Sequence, residues 1–109
     1  MNEIIKIENY NGNEVVSARS LHEFLEIETR FDNWCKRMFE YGFVENIDYS
    51  NVVFDNQYSN LSKENQLVDY GLTLDCAKEI SMIQRSEKGK QARLYFIDCE
   101  KKLKEIKPA

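Results

Sequence analysis

The sequence contains few of the residues from which metal centres are usually built. It has one histidine, His22, and three cysteines, at positions 35, 76 and 99, with no CxxC motif. A structural zinc site needs four nitrogen or sulfur ligands in closely spaced pairs, so this pattern excludes one. The cysteines are predicted to be small apolar residues on helix faces in a reducing compartment.

The sequence also lacks the signatures of the common catalytic sites. Its four glycines are too far apart to form a phosphate-binding loop, and its carboxylates are not clustered as in a metal nuclease. His22 has no serine or cysteine elbow beside it, so we predict that it is a partly exposed helix residue. We therefore predict a protein that is not an enzyme, has no catalytic or metal-binding residues and uses no cofactor.

Long apolar runs and linker-like segments are absent as well. No apolar run approaches the ~18 residues that a membrane-spanning helix needs. The single proline, Pro108, lies beyond the last predicted helix, and 42% of the 109 residues are hydrophobic. We expect one globular domain over residues 1–109, either a whole protein or the N-terminal domain of a longer one, in a cytoplasm without a membrane partner.

Charge is unevenly distributed along the chain. Residues 1–77 contain six basic and fourteen acidic side chains, whereas residues 78–109 contain nine basic and five acidic ones. The first part therefore has a net charge of −8 and the second of +4. A local basic segment on an acidic body is typical of a site that meets an anionic partner in one orientation.

The first half of the chain is predicted to form a β-hairpin followed by a helix-turn-helix. Apolar runs at 4–7 and 14–16 flank Asn11-Gly12, a pair that favours tight hairpin turns. Ser17 or Ser20 is predicted to cap the first helix and Thr29 the second. Residues at helical spacing are expected to enter the core: Leu21, Phe24, Leu25, Phe31, Trp34, Cys35, Met38 and Phe39. Gly42 is predicted to end the second helix or to follow it.

The second half is predicted to form another hairpin and two more helices. Tyr49–Phe54 and Gln66–Leu72 have the composition of strands, and the polar segment 55–65 between them is typical of an exposed loop. Thr73 and Ser86 are predicted N-caps of a third and a fourth helix, joined by a tight corner at 84–86. The predicted fold class is therefore α+β: a winged-helix-like domain with two short β-hairpins and about four helices.

Two surfaces are candidates for binding DNA or a partner protein. On the second helix, Arg30, Asn33, Lys36 and Arg37 occupy positions from which a recognition helix reads base edges. The same residues also fit a solvated or protein-contacting face, because nearby carboxylates repel phosphate: Glu26, Glu28, Asp32 and Glu40.

The second candidate is the basic segment around Gly89, which contains Arg85, Lys88, Lys90 and Arg93. Cations near a helix N-terminus can hold a phosphate of DNA or a carboxylate of a protein. The alternative is a solubilising helix surface with weak i,i+4 ion pairs.

Several blocks of sequence resemble the N-terminal domain of phage antirepressors of the AntA/AntB type. The blocks are VSARSLHEFL at 16–25, RFDNW at 30–34, GFVENIDY at 42–49, DY at 69–70, LTLD at 72–75, AKE at 77–79, RSEKGK at 85–90 and YFI at 95–97. The resemblance covers roughly residues 15–100 and implies a phage or prophage protein of the bacterial cytoplasm that lifts repression.

The resemblance leaves two mechanisms open. In the first, the acidic body binds a phage repressor or another regulatory protein and occupies its basic DNA-binding face. In the second, the helix-turn-helix and the basic segment bind DNA directly. A homo-oligomer is also considered, because the apolar stripe of the fourth helix extends through Leu103 and Ile106 beyond the expected body of the domain.

Overall fold

A computed structural model of the chain describes residues 5–10, 13–52 and 69–106, without the side chains of 9, 10 and 103–106. Within these residues the chain forms four strands and four helices. The strands are β1 (Ile7–Tyr10), β2 (Asn13–Ser17), β3 (Tyr49–Val52) and β4 (Asp69–Leu72). The helices are α1 (Ala18–Leu25), α2 (Phe31–Phe39), α3 (Leu74–Ile83) and α4 (Glu87–Ile106). The predicted α+β class is confirmed.

The described strands form one antiparallel sheet in the order β1-β2-β4-β3. Both predicted hairpin pairs are present, with Tyr10 opposite Asn13 and Tyr49 opposite Leu72. The first strand is displaced, since it begins at Ile7, where the predicted run ended. Asn11-Gly12 and the segment 55–65 lie outside the described residues. Because β4 also pairs with β2, through Val16 and Leu72, the second hairpin is part of the central sheet. The resemblance of this fold to a winged helix stays a prediction.

Helix starts follow the capping chemistry of the sequence at three of the four predicted caps, including Ser86, which precedes α4 and accepts from the Gly89 N–H. The Ser17 hydroxyl accepts a hydrogen bond from the Ser20 backbone N–H at 3.1 Å, so Ser17 is the cap of α1. Thr73 caps α3 by accepting from Cys76 N–H at 3.1 Å. The prediction for Thr29 is wrong: α2 is preceded by Arg30, which makes no side-chain capping bond.

The start of α2 has a local explanation. The Thr29 carbonyl oxygen lies 2.8 Å from His22 Nε2, which ties this residue to α1. The Asp32 carboxylate accepts a hydrogen bond from the Asn33 N–H at 2.9 Å. This backbone N–H, in the first turn of α2, is one that an N-cap side chain would otherwise bind. Gly42 follows α2 with φ +108° and open space around its missing Cβ, as predicted for a residue just past the helix end.

The core lies between the sheet and the helices. Its fully buried residues include Phe96 of α4, Leu21 of α1, Ile80 of α3 and Leu72 of β4. Cys35 and Cys76 are buried thiols, and burial raises the pKa of each to about 12, so both remain protonated apolar residues at neutral pH. In α4 the predicted stripe residues Ala92 and Phe96 are buried; the side chains of Leu103 and Ile106 lie outside the described residues.

Candidate functional site: two charged surfaces

All four residues predicted for the second helix are exposed, three on α2 and Arg30 directly before it. Arg30, Asn33, Lys36 and Arg37 are exposed, because Trp34, Cys35 and Met38 occupy the buried face of the helix. The structure thus brings the four onto one outer surface. The guanidinium of Arg30 lies 3.3 Å from a carboxylate oxygen of Asp32, in a pair of which both side chains are largely exposed.

Carboxylates surround the junction between α1 and α2. Glu23, Glu26, Glu28 and Asp32 are all exposed there. They lie beside a depression of about 350 Å³ lined by Arg19, His22, Glu23, Glu26, Ile27 and Phe31. We call the four carboxylates the acidic junction. It lies at the end of the helix-turn-helix where Arg30 would approach a phosphate, so it opposes binding of a polyanion.

His22 is a packing residue of this junction. Its ring makes an edge contact with Phe31 at 5.6 Å between centroids and lies 5.1 Å from Trp34. The side chain is half-buried, which confirms the predicted partly exposed helix residue. Nearby, the Arg19 guanidinium lies over the Phe31 ring, 4.2 Å from its centroid. The charge of Arg19 is thus held against an aromatic face.

The basic segment is divided by the structure. Arg85, Lys90 and Arg93 line one depression of about 400 Å³ together with Met82 and the exposed carboxylate Glu87, so cations outnumber anions there by three to one. Lys88 turns the other way: its Nζ lies 4.9 Å from the centre of the Phe24 ring and 3.7 Å from a Glu26 carboxylate oxygen. We call Arg85, Lys90 and Arg93 the basic corner. Three of the four predicted cations are therefore grouped, and the fourth contacts α1.

The start of α4 is occupied by contacts within the fold. The Ser86 hydroxyl accepts from the Gly89 N–H at 3.1 Å, and the Ser86 carbonyl accepts from the Lys90 N–H at 3.0 Å. Gly89 itself is buried, because α4 passes so close to α3 that a Cβ would overlap the Ser81 carbonyl oxygen. Packing explains this glycine, and its N–H does not face an external anion.

Sequence reasoning missed one buried polar network. Asp69 is 1% exposed, and its carboxylate accepts hydrogen bonds from the Ser17 hydroxyl at 2.7 Å, the Arg19 N–H at 3.1 Å and the Tyr70 N–H at 2.7 Å. It thereby fixes the cap of α1 to β4. No local sequence pattern predicts such a contact, because Ser17 and Asp69 are 52 positions apart.

Comparison with known proteins identifies the family. Residues 16–86 match the AntA/AntB antirepressor family, which covers the hairpin-to-helix transition, the acidic junction and α3. The chain belongs to the AntA/AntB antirepressor family. This membership confirms the resemblance and indicates a phage antirepressor role in a regulatory, non-catalytic family. No curated protein and no solved structure matches the chain.

Two further features are absent from the described residues. Among them, no three or more histidine, cysteine, aspartate or glutamate side chains are arranged to hold a metal ion. None of the helices there is long and apolar enough to cross a bilayer.

Proposed function

We propose that this antirepressor domain lifts repression by binding a repressor, or another regulatory protein, without catalysis. The acidic junction of α1 and α2 would be the contact surface. It would occupy the basic face with which the repressor holds its operator, and so compete with DNA for that face.

The observation that carries this proposal is the charge of the helix-turn-helix. Around the predicted recognition residues, Glu23, Glu28 and Asp32 are exposed carboxylates, and Arg30 pairs with Asp32. A helix that reads DNA needs cations turned outward to meet phosphates. An exposed acidic surface instead complements a positively charged protein surface.

A direct binding measurement tests the proposal. Isothermal titration of the domain against the cognate repressor should give a complex, and operator DNA should compete with it. Glu23→Lys combined with Glu28→Lys should weaken the complex at least tenfold, because both new charges would face the cations of the repressor. A matched control is Glu14→Lys. Glu14 is a partly exposed residue of β2 and is not one of the four carboxylates of the acidic junction.

The outcomes separate clearly. Absence of a complex at micromolar concentration, with the longest natural form of the protein, would contradict the proposal. A complex that the junction variant leaves unchanged would retain repressor binding but place it on another surface.

Direct DNA binding is the alternative, and one observation favours it. Lys36 and Arg37 are exposed on α2 and form no ion pair within the described residues. With the basic corner they would supply five cations for phosphate contacts. A mobility-shift assay on operator DNA distinguishes this function from repressor binding.

A further inference from the structure

Five large apolar side chains in the described part of the chain are at least half exposed. They are Tyr41, Val44, Ile47, Met82 and Leu94, with exposures from 50% to 69%. They come from the connection 41–48 between α2 and β3, from α3 and from α4. Scattered exposed apolar residues need no explanation, but a contiguous group marks an interaction surface.

The connection 41–48 begins and ends near the two ends of α3. At the C-terminal end of α3, the Gln84 side chain contacts the sulfur of Met38, whose carbonyl accepts from the Tyr41 N–H at 3.0 Å. At the N-terminal end, the Thr73 N–H donates to the Asp48 carbonyl oxygen at 3.0 Å. Both ends of the connection are therefore held at opposite ends of the same helix.

Helix α4 lies on the other flank of α3. Lys78 Nζ lies 2.9 Å from a Glu100 carboxylate oxygen, and Gly89 abuts Ser81. The exposed residues of α3 are Asp75, Glu79 and Met82, which share its outer side. We call the connection 41–48, this outer side of α3 and the adjoining side of α4 the α3 face. All five exposed apolar residues belong to these three segments; Met82 lines the depression of the basic corner, whereas Ile47 lines another depression with Glu14 and Val15 of β2.

Opposite charges occupy the two flanks of the α3 face. Exposed carboxylates of Glu45 and Glu79 lie on the connection and on α3, whereas the basic corner lies at the junction with α4. Neither these two carboxylates nor Arg85, Lys90 and Arg93 form an ion pair with another described residue. Both sets of charges thus remain available to a partner.

We propose that the α3 face is the contact between two copies of this chain, related by a two-fold axis that passes near Met82. Two-fold contacts are isologous, so each surface must complement itself. Rotation about this axis would place the acidic flank of one copy against the basic corner of the other, with Met82 of both copies between them. A polyanion fits less well, because Glu45 and Glu79 repel phosphate.

This contact differs from self-association through the far end of α4, because it uses the side of the helix beside α3. It also uses a surface distinct from the acidic junction, so a dimer would leave the junction available to a repressor.

Sedimentation equilibrium on the whole chain tests the proposal over about 1–200 µM, a range that brackets micromolar affinity. The expected species has twice the 12.9 kDa mass of the chain. Arg85→Glu with Lys90→Glu should raise the dissociation constant about tenfold or more, and so should Glu45→Lys with Glu79→Lys. All four positions are exposed, and circular dichroism would confirm that each variant is folded.

Mixing the two variants is the decisive step. In the mixed dimer every reversed charge meets a reversed charge, so a 1:1 dimer should form with about the affinity of the wild type. As a matched control, Glu28→Lys with Lys36→Glu reverses one exposed charge in the connection between α1 and α2 and one on α2, and should leave the dimer unchanged. A wild-type chain that stays monomeric throughout would overturn the proposal, as would a mixture that fails to associate or assemblies larger than two chains.

Discussion

Gly89 lies where α4 crosses α3, and its missing side chain sets how closely the two helices pack. A Cβ at this position would overlap the Ser81 carbonyl oxygen, which belongs to backbone that cannot rotate away. Gly89→Ala should therefore destabilise the domain by about 1–3 kcal/mol, despite the ~1 kcal/mol by which alanine favours a helix. Urea unfolding measures this change. Gln91→Ala, at an exposed position of the same helix, is the control, and a Gly89→Ala domain as stable as wild type would refute the packing explanation.

Asp69 is the buried acid whose protonation should appear in the pH dependence of stability. Burial raises the pKa of its carboxyl above the usual 3.8, while hydrogen bonds from Ser17, Arg19 and Tyr70 act in the opposite direction. The folded state thus holds this proton more tightly than the unfolded state does. Protonated Asp69 therefore contributes its full stabilisation below pH 3.8, the ordinary pKa of the group. This contribution is lost as the pH rises through the raised pKa of the folded state.

The variant Asp69→Asn isolates this effect, because an amide retains an oxygen acceptor but does not titrate. The free energy of unfolding of the variant, relative to wild type, should increase with pH, by at most about 1.4 kcal/mol per pH unit. Urea titrations between about pH 4 and pH 7 measure the difference. A difference that is constant, or that decreases with pH, would show that the hydrogen bonds outweigh burial.

Among the helices, α1 is fixed more firmly at its start than α3. Both have a hydroxyl cap, but Ser17 also donates to Asp69, whereas Thr73 makes only the capping bond among the side-chain contacts described for it. Ser17→Ala should cost about 2–3 kcal/mol and Thr73→Ala about 1 kcal/mol. Chemical denaturation of both variants checks the order. Equal losses would mean that the bond to Asp69 contributes little.

The sequence predicted helices better than it predicted the assembly of the sheet. Ser17, Thr73 and the apolar spacing around Trp34 are local signals, and the structure agrees with each. The prediction of a cap at Thr29 was wrong: the residue before α2 is Arg30, and the Asp32 carboxylate accepts from the Asn33 N–H in the first turn. The pairing of β2 with β4 joins residues more than fifty positions apart, as Val16 and Leu72 show, so no local pattern encodes it.

At the scale of the whole molecule, the uneven charge of the sequence becomes two separate surfaces. The four residues predicted for the second helix are all exposed, and the carboxylate of Asp32 lies beside Arg30. In the predicted basic segment, Lys88 pairs with Glu26, whereas the other three cations line one depression. Spacing in the sequence placed the charges on helices. It could not give the direction of Lys88, which depends on the approach of α1.

This arrangement leads to a prediction about nucleic acid. The chain has a net charge of −4, and exposed carboxylates adjoin its predicted recognition helix. We therefore expect no mobility shift of operator DNA even at about 50 mM salt, where counterion release favours binding most.

Association through five phosphate contacts would instead show a log–log salt slope near −4.5, at about −0.9 for each phosphate. Lys36→Glu with Lys90→Glu would then abolish the shift, while Glu28→Lys would strengthen it because a repulsive carboxylate is removed. Observation of that pattern would make DNA, and not a repressor, the partner of the helix-turn-helix.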